Sequence, residues 1–515
     1  MKRSVLVIML VSMVSAFAVA QSAPQVKVTD GTLEGVDESG VYAFKGIPFA
    51  APPVGDYRWR EPQPVQPWAG IRKADHFGPR AMQRSLFSDM NFRSDGMSED
   101  CLYLNVWTPA KEFDENLPVL VYFYGGGLVA GDGSEFRYDG EAMARRGIVT
   151  VTVNYRLAIF GFFSHPELSK ESPFGASGNY GLLDQQAALK WVQQNISAFG
   201  GNPDNVTIAG ESAGSFSVSA QMASPLSKSL FHAAIGESGS LLGNRPIPSL
   251  EASEARGSTF ADAIGASSLA ALRALPAEEL LAATAMPEAS FGVNIDGHFF
   301  TKSPVAVFEA GEQAQVPLLA GWNSQESDSR AVLGDREPTI QHFSAAVRER
   351  FGSQADALLQ VYNPASDAEV EQVATDLASD QFIGYSTWRW IDLHSQTGGH
   401  PVYRYYYARP RPATREGGTA TAKGAVHSAE IEYALGNLGT NRVFDWQPED
   451  AKVSAILQNY FVNFVRSHDP NGLGVPFWPA LEKNQPAAVM HIDVETKSET
   501  ELHRNRYLKL QELGQ

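Results

Sequence analysis

The pentapeptide Gly210-Glu211-Ser212-Ala213-Gly214 holds a serine between two glycines. A serine hydroxyl becomes an effective nucleophile towards a carbonyl carbon when a neighbouring base takes its proton. The flanking sequence supplies a setting for that chemistry. Val206 to Ala209 reads as a short strand, and an apolar helical pattern begins at Ala213. A serine on such a strand-to-helix turn has its hydroxyl exposed. The glycines let strand and helix pass closely, with no Cβ atoms between them. The helix start adds unpaired N–H groups and the positive end of a dipole. A second serine, Ser238 in Gly236-Glu237-Ser238-Gly239-Ser240, fits less well, because Ser240 stands where the closing glycine belongs.

Tyr124-Gly125-Gly126-Gly127 directly follows the strand-like run from Leu117 to Phe123. Three successive glycines cost backbone entropy and suit a main chain that must approach a ligand. An oxyanion hole takes one N–H from the residue after the nucleophile and others from such a loop. A base and an orienting acid complete the machinery, and on a fold that carries its serine on such a strand-to-helix turn the chain order is serine, acid, histidine. Of eleven histidines, that order favours His427, in Gly424-Ala425-Val426-His427-Ser428-Ala429-Glu430. It follows a Pro- and Gly-containing stretch from Arg409 to Gly424 and precedes an apolar helix. Two acids lie in the loop after the strand Val316 to Ala320, Glu326 and Asp328, and spacing leaves both open. This chemistry needs no metal and no organic cofactor.

The elements that must position these residues follow from the apolar pattern. Leu117 to Phe123 and Ile148 to Val153 are continuous β-rich runs, as expected of fully buried strands. Gly181 to Phe199 reads as an amphipathic helix, and His232 to Ile235 and Pro401 to Tyr407 as further strands. Strands alternating with helices predict an α/β fold, a large mostly parallel sheet flanked by helices. No linker or repeat divides the chain, which favours one large domain. The 515 residues carry 41 basic and 58 acidic side chains, a net charge of −17. That balance argues against nucleic acid or an anionic membrane as partner. A single cysteine, Cys101, excludes an intrachain disulfide and cysteine-based metal clusters. Lys2 and Arg3, the apolar run Val5 to Leu10 and Ala18-Val19-Ala20 read as a signal peptide over residues 1–20, cleaved before Gln21. The expectation is an exported protein, periplasmic or secreted, with no stable membrane anchor after cleavage and residues 21–515 as its one domain. Oligomeric state is not legible.

Several longer blocks resemble the type-B carboxylesterase and cholinesterase family of α/β-hydrolases, with its bacterial para-nitrobenzyl-esterase-like members as the pattern. They are Phe44-Lys45-Gly46-Ile47-Pro48-Phe49, Glu99-Asp100-Cys101-Leu102-Tyr103-Leu104-Asn105, Asn179-Tyr180-Gly181-Leu182-Leu183-Asp184-Gln185 and Val206 through Gly214. The resemblance implies an α/β-hydrolase fold with long insertions around an active-site gorge, and hydrolysis of a small-molecule ester. It implies Ser212 as nucleophile, His427 as base and Glu326, rather than Asp328, as acid. Gly126, Gly127 and Ala213 take the oxyanion-donor positions, and Ser238 that of a serine supporting the acid. Ser215 stands where a third glycine is usual. Asn91 occupies the place of the cholinesterases' choline-binding Trp, which argues against a choline site. Cys101 matches a residue that in many relatives is cross-linked, and Ala81 stands in its partner's place, which predicts a more mobile segment between them. Two other readings share the scaffold: a non-catalytic binding or adhesion module, and the same mechanism applied to amides or carbamates.

Overall fold

The computed structural model describes residues 23–418, 422–483, 485 and 487–514. The leader read from residues 1–20 lies outside them. The central sheet has eleven strands: β1 (Val36–Glu38), β2 (Val41–Pro48), β3 (Tyr103–Thr108), β4 (Leu117–Phe123), β5 (Val149–Val153), β6 (Gly201–Glu211), β7 (Ala233–Glu237), β8 (Leu318–Asn323), β9 (Val402–Tyr407), β10 (Ala488–Ile492) and β11 (Lys497–Thr500). Their order across the sheet is β1-β2-β3-β5-β4-β6-β7-β8-β9-β10-β11. From β5 to β10 neighbours are parallel. The outer pairs are antiparallel.

Every residue of β5, β7 and β8 is buried. Helices cover both faces of this part of the sheet, so the strands carry continuous apolar runs rather than alternation. Among the helices are α1 (Tyr180–Asn195), α2 (Ala213–Ala223), α3 (Tyr385–Thr397) and α4 (Pro448–Ser467). Helix α1 departs from the amphipathic expectation. Its polar residues Asp184, Gln185 and Gln186 are as buried as its leucines. Arg156 donates to Asp184 through Nε (2.8 Å) and Nη2 (2.7 Å), and Gln185 donates to Ser217 Oγ at 2.8 Å. Internal partners replace water on the face that the sequence pattern assigned to solvent.

The segment between Ala81 and Cys101 is tied without a covalent link. Arg80 and Ala81 pair with Met97 and Ser98. Gln83 both accepts from and donates to the Gly131 backbone, and Arg58 forms a two-pronged pair with Glu99. Cys101 itself is 1% exposed. The stretch after Arg409 is also fastened. Arg409 pairs with Asp450 and Arg411 with Glu432, each at 2.7 Å. Residues 419–421 of it lie outside the described set. No helix among the described residues is long and apolar enough to cross a membrane.

Candidate active site

The carboxyl ends of β4, β6, β7, β8 and β9, five successive neighbours in the parallel sheet, point the same way. The chain leaves them at Tyr124, Ser212, Ser238, Ser324 and Ala408, so residues distant in sequence meet along one edge. Ser212 is the single residue between β6 and α2, with φ 55° and ψ −119°. A side chain in that left-handed region is strained, and the surroundings hold it there. Its N–H donates to Glu237 O at 2.8 Å, and its carbonyl accepts from Phe216 N. Gly210 and Gly214 are required: a Cβ on Gly210 would lie 2.5 Å from the Gly214 carbonyl carbon, and one on Gly214 would collide with the Phe123 carbonyl oxygen.

Two loops are zipped together to bring acid and histidine into register. Gln325 N donates to Ala425 O, and Ala425 N donates to Ser324 Oγ. Glu326 and His427 then face each other, with His427 Nδ1 2.6 Å from Glu326 Oε2. His427 Nε2 is 2.9 Å from Ser212 Oγ. The other oxygen of Glu326 accepts from Ser238 Oγ at 2.5 Å and from Asn323 N at 2.6 Å. The structure thus brings together Ser212, His427, Glu326 and Ser238. Asp328 lies elsewhere, turned to the Arg330 backbone N–H. Ser215, unexplained by sequence, donates to Gly239 O at 2.5 Å and so ties α2 to the turn that carries Ser238.

Gly126 (φ 109°) and Gly127 (φ 65°) adopt backbone conformations that favour glycine. A Cβ on Gly126 would collide with Ala130 O. Their N–H groups have no acceptor among the described residues. The N–H of Ala213, first residue of α2, lacks an intrahelical partner by position. Ala213 thus follows Ser212 directly at the positive end of an eleven-residue helix, and the glycine loop comes up to the serine at Gly125, where a Cβ would lie 3.2 Å from Ser212 Cβ.

The sequence reading assigned no role to a set of buried acids behind the histidine. Glu211, Glu237 and Glu430 are all at most 2% exposed. Glu211 Oε1 is 3.3 Å from His427 Nε2 and accepts no hydrogen bond. Glu430 accepts from Asn323 Nδ2 at 2.5 Å and from Ser238 at 3.4 Å, and Glu237 accepts from Tyr122 OH at 3.0 Å. Burial pushes Glu211 up to about 8, an effect the His427 charge opposes. Burial and the Glu326 charge raise Glu430 to about 7. Burial, with the charges of Glu430 and Glu211, raises Glu237 well above the usual range. For His427, burial favours the neutral ring, but Glu211, Glu326 and Glu430 together outweigh it and raise the imidazole to about 10. Glu211 sits inside the serine motif and Glu430 three residues after His427, so position relative to those two was the available signal. Phe382 was also missed. It is 53% exposed, and its ring meets His427 edge-on at 5.1 Å. It sits in a π-turn over Asp380–Gly384, a distortion that often marks functional positions. No group of three or more His, Cys, Asp or Glu able to hold a metal occurs among the described residues.

A parallel sheet with antiparallel flanks, helices on both faces and a serine on a tight strand-to-helix turn define an α/β-hydrolase. The model of the carboxylesterase family matches residues 22–510. The chain is 38% identical over 474 residues to fumonisin B1 esterase of Sphingopyxis macrogoltabida, covering 88% of this chain and 84% of that protein. It is 33% identical over 507 residues to human cocaine esterase, covering 92% and 87%. The crystal structure of a Geobacillus stearothermophilus carboxylesterase superposes with a TM-score of 0.80 at 31% identity, covering 94% of this chain and 99% of that one. A PNB esterase structure gives 0.80 at 31%, covering 95% and 99%. The chain belongs to the carboxylesterase family, and it is a carboxylic ester hydrolase.

Proposed function

We propose that the protein hydrolyses esters through an acyl-enzyme on Ser212. The 2.9 Å contact between His427 Nε2 and Ser212 Oγ, continued to Glu326 at 2.6 Å, carries this reading. His427 takes the serine proton as Oγ attacks the carbonyl carbon. The N–H groups of Gly126, Gly127 and Ala213 receive the oxyanion. His427 returns the proton to the leaving alcohol and then activates water to release the acid. Glu326, held by Ser238 and Asn323, orients the ring and stabilises its charged form. The edge of Phe382 beside His427 favours a substrate with apolar surface next to the carbonyl. Relatives named for fumonisin B1 and for cocaine support a carboxylic ester as the class, and a panel varying acyl length and alcohol size identifies the member.

Ser212→Ala is expected to remain folded and to lose about 10⁶-fold in kcat. A serine-directed organophosphate is expected to label the wild type once and the variant not at all. Turnover retained by the variant at near wild-type level overturns the assignment. We further propose export as one catalytic domain over residues 21–515. Protein recovered from outside the cytoplasm should begin at Gln21, and an intact Met1 there refutes cleavage.

A further inference from the structure

A cavity of about 300 Å³ opens beside the start of α1, between residues 59–63, the turn at 171–177 and the loop at Asp296 and His298. None of its lining side chains takes part in the hydrogen bonds around Ser212, His427 and Glu326. Trp59, Pro173 and Leu183 form apolar walls. Arg58 lies against the Trp59 ring and Arg156 against the Tyr180 ring, so both aromatic side chains are held in place.

The polar groups of this cavity are short of partners. Tyr180 is 4% exposed, and its hydroxyl makes no hydrogen bond among the described residues. Asp296 is 6% exposed, and its Oδ1 accepts from the N–H groups of His298 (3.0 Å) and Phe300 (2.9 Å), while Oδ2 has no hydrogen-bond partner among the described residues. The Glu61 carboxylate makes no hydrogen bond among the described residues; His298 Nε2 lies 3.7 Å from its Oε1, beyond hydrogen-bond reach. Burial raises the Glu61 carboxyl from its ordinary value, partly offset by His298. The remaining charges are already used: Glu171 accepts from Arg60 at 2.7 Å and from Arg273 at 2.7 and 2.9 Å. His298 stacks on Phe174 at 3.9 Å, which fixes the rim. Two carboxylates and a hydroxyl thus line a cavity whose walls are part apolar (Trp59, Pro173 and Leu183) and part polar. These groups line the cavity, with the Glu61 side chain 31% exposed, and a ligand that donates to them replaces water there with charge-assisted hydrogen bonds.

We propose that this cavity is a second ligand site, separate from the ester-hydrolysing centre, that binds a protonated primary amine carried on a small aromatic or aliphatic body. The ammonium supplies three donors to Glu61, Asp296 and Tyr180. The body packs on Trp59 and Pro173. The acids of the cavity do not form a metal-holding group of three or more His, Cys, Asp or Glu among the described residues.

Benzylammonium, titrated calorimetrically into the full chain, tests this. Saturable one-to-one binding is expected in the wild type and equally in Ser212→Ala. Glu61→Gln and Asp296→Asn should each weaken it tenfold or more, with ester turnover and circular dichroism of Glu61→Gln unchanged. Benzyl alcohol, the same body without charge, should bind at least tenfold more weakly. Tyr180→Phe, which removes only the hydroxyl, gives a severalfold loss and serves where an acid variant fails to fold. Absence of saturable binding, equal affinity for benzyl alcohol, or an affinity unchanged by the substitutions overturns the proposal.

Discussion

Replacing Glu211 with Gln keeps the shape of the side chain beside His427 and removes its charge. Glu211 Oε1 lies 3.3 Å from His427 Nε2. Two unit charges at that separation interact by about 5 kcal/mol at an effective dielectric of about 20. That corresponds to roughly 3.5 pH units, an upper bound that assumes full ionisation of both groups. Burial holds the Glu211 carboxyl above its ordinary range, so it is only partly ionised near neutrality and only part of the bound applies. A base loses activity as pH falls through its own titration. Removing a neighbouring anion lowers the pH at which the imidazole gains its proton. The acid limb of kcat/KM is therefore expected to move down by about one to two pH units in Glu211→Gln. The assay is the pH profile of initial rates on a soluble aryl acetate at low substrate, where kcat/KM reports the free enzyme. An acid limb that stays in place, or moves to higher pH, refutes the claim that Glu211 raises the pH at which His427 titrates.

Ser238→Ala removes a donor to Glu326, a hydrogen bond to a charged acceptor worth about 1.5–3 kcal/mol, so kcat should fall about tenfold to a hundredfold with KM little changed; an unchanged kcat removes Ser238 from the site. Asp184→Asn leaves the Arg156 guanidinium buried without its counter-charge and should cost about 3–5 kcal/mol in a denaturant titration, whereas a loss below 1 kcal/mol, the range for an exposed pair, contradicts the internal placement. Burial raises the Cys101 thiol well above its ordinary value. Thiol reagents should modify Cys101 only when the protein is unfolded, and fast labelling of the native protein contradicts this.

The sheet was legible because its central strands are buried on both faces and so appear as unbroken β-branched runs. The serine was legible because the close crossing of β6 and α2 demands glycines at two fixed positions. The polar face of α1 misled for a physical reason: Asp184 and Gln185 have partners inside the protein, and a helical pattern carries no record of them. Glu326 and Asp328 could not be separated by spacing, since only the backbone pairing of Gln325 with Val426 turns one of them towards His427. The acids Glu211, Glu237 and Glu430 were hidden for a similar reason. Each comes from a different strand end or loop, and their meeting depends on strand order. Family likeness supplied the choice of acid and the oxyanion positions, which composition and periodicity leave open.

The short pairing of Arg80 and Ala81 with Met97 and Ser98 closes a loop that a cross-link between positions 81 and 101 would also close. A disulfide across a loop of that length contributes about 3 kcal/mol by restricting the unfolded chain. Here backbone pairing, the Gln83–Gly131 exchange and the Arg58–Glu99 fork do that work in the folded state alone. Maturation of this enzyme accordingly calls for no thiol oxidase or disulfide isomerase. Dithiothreitol or glutathione has no intrachain disulfide to break in it.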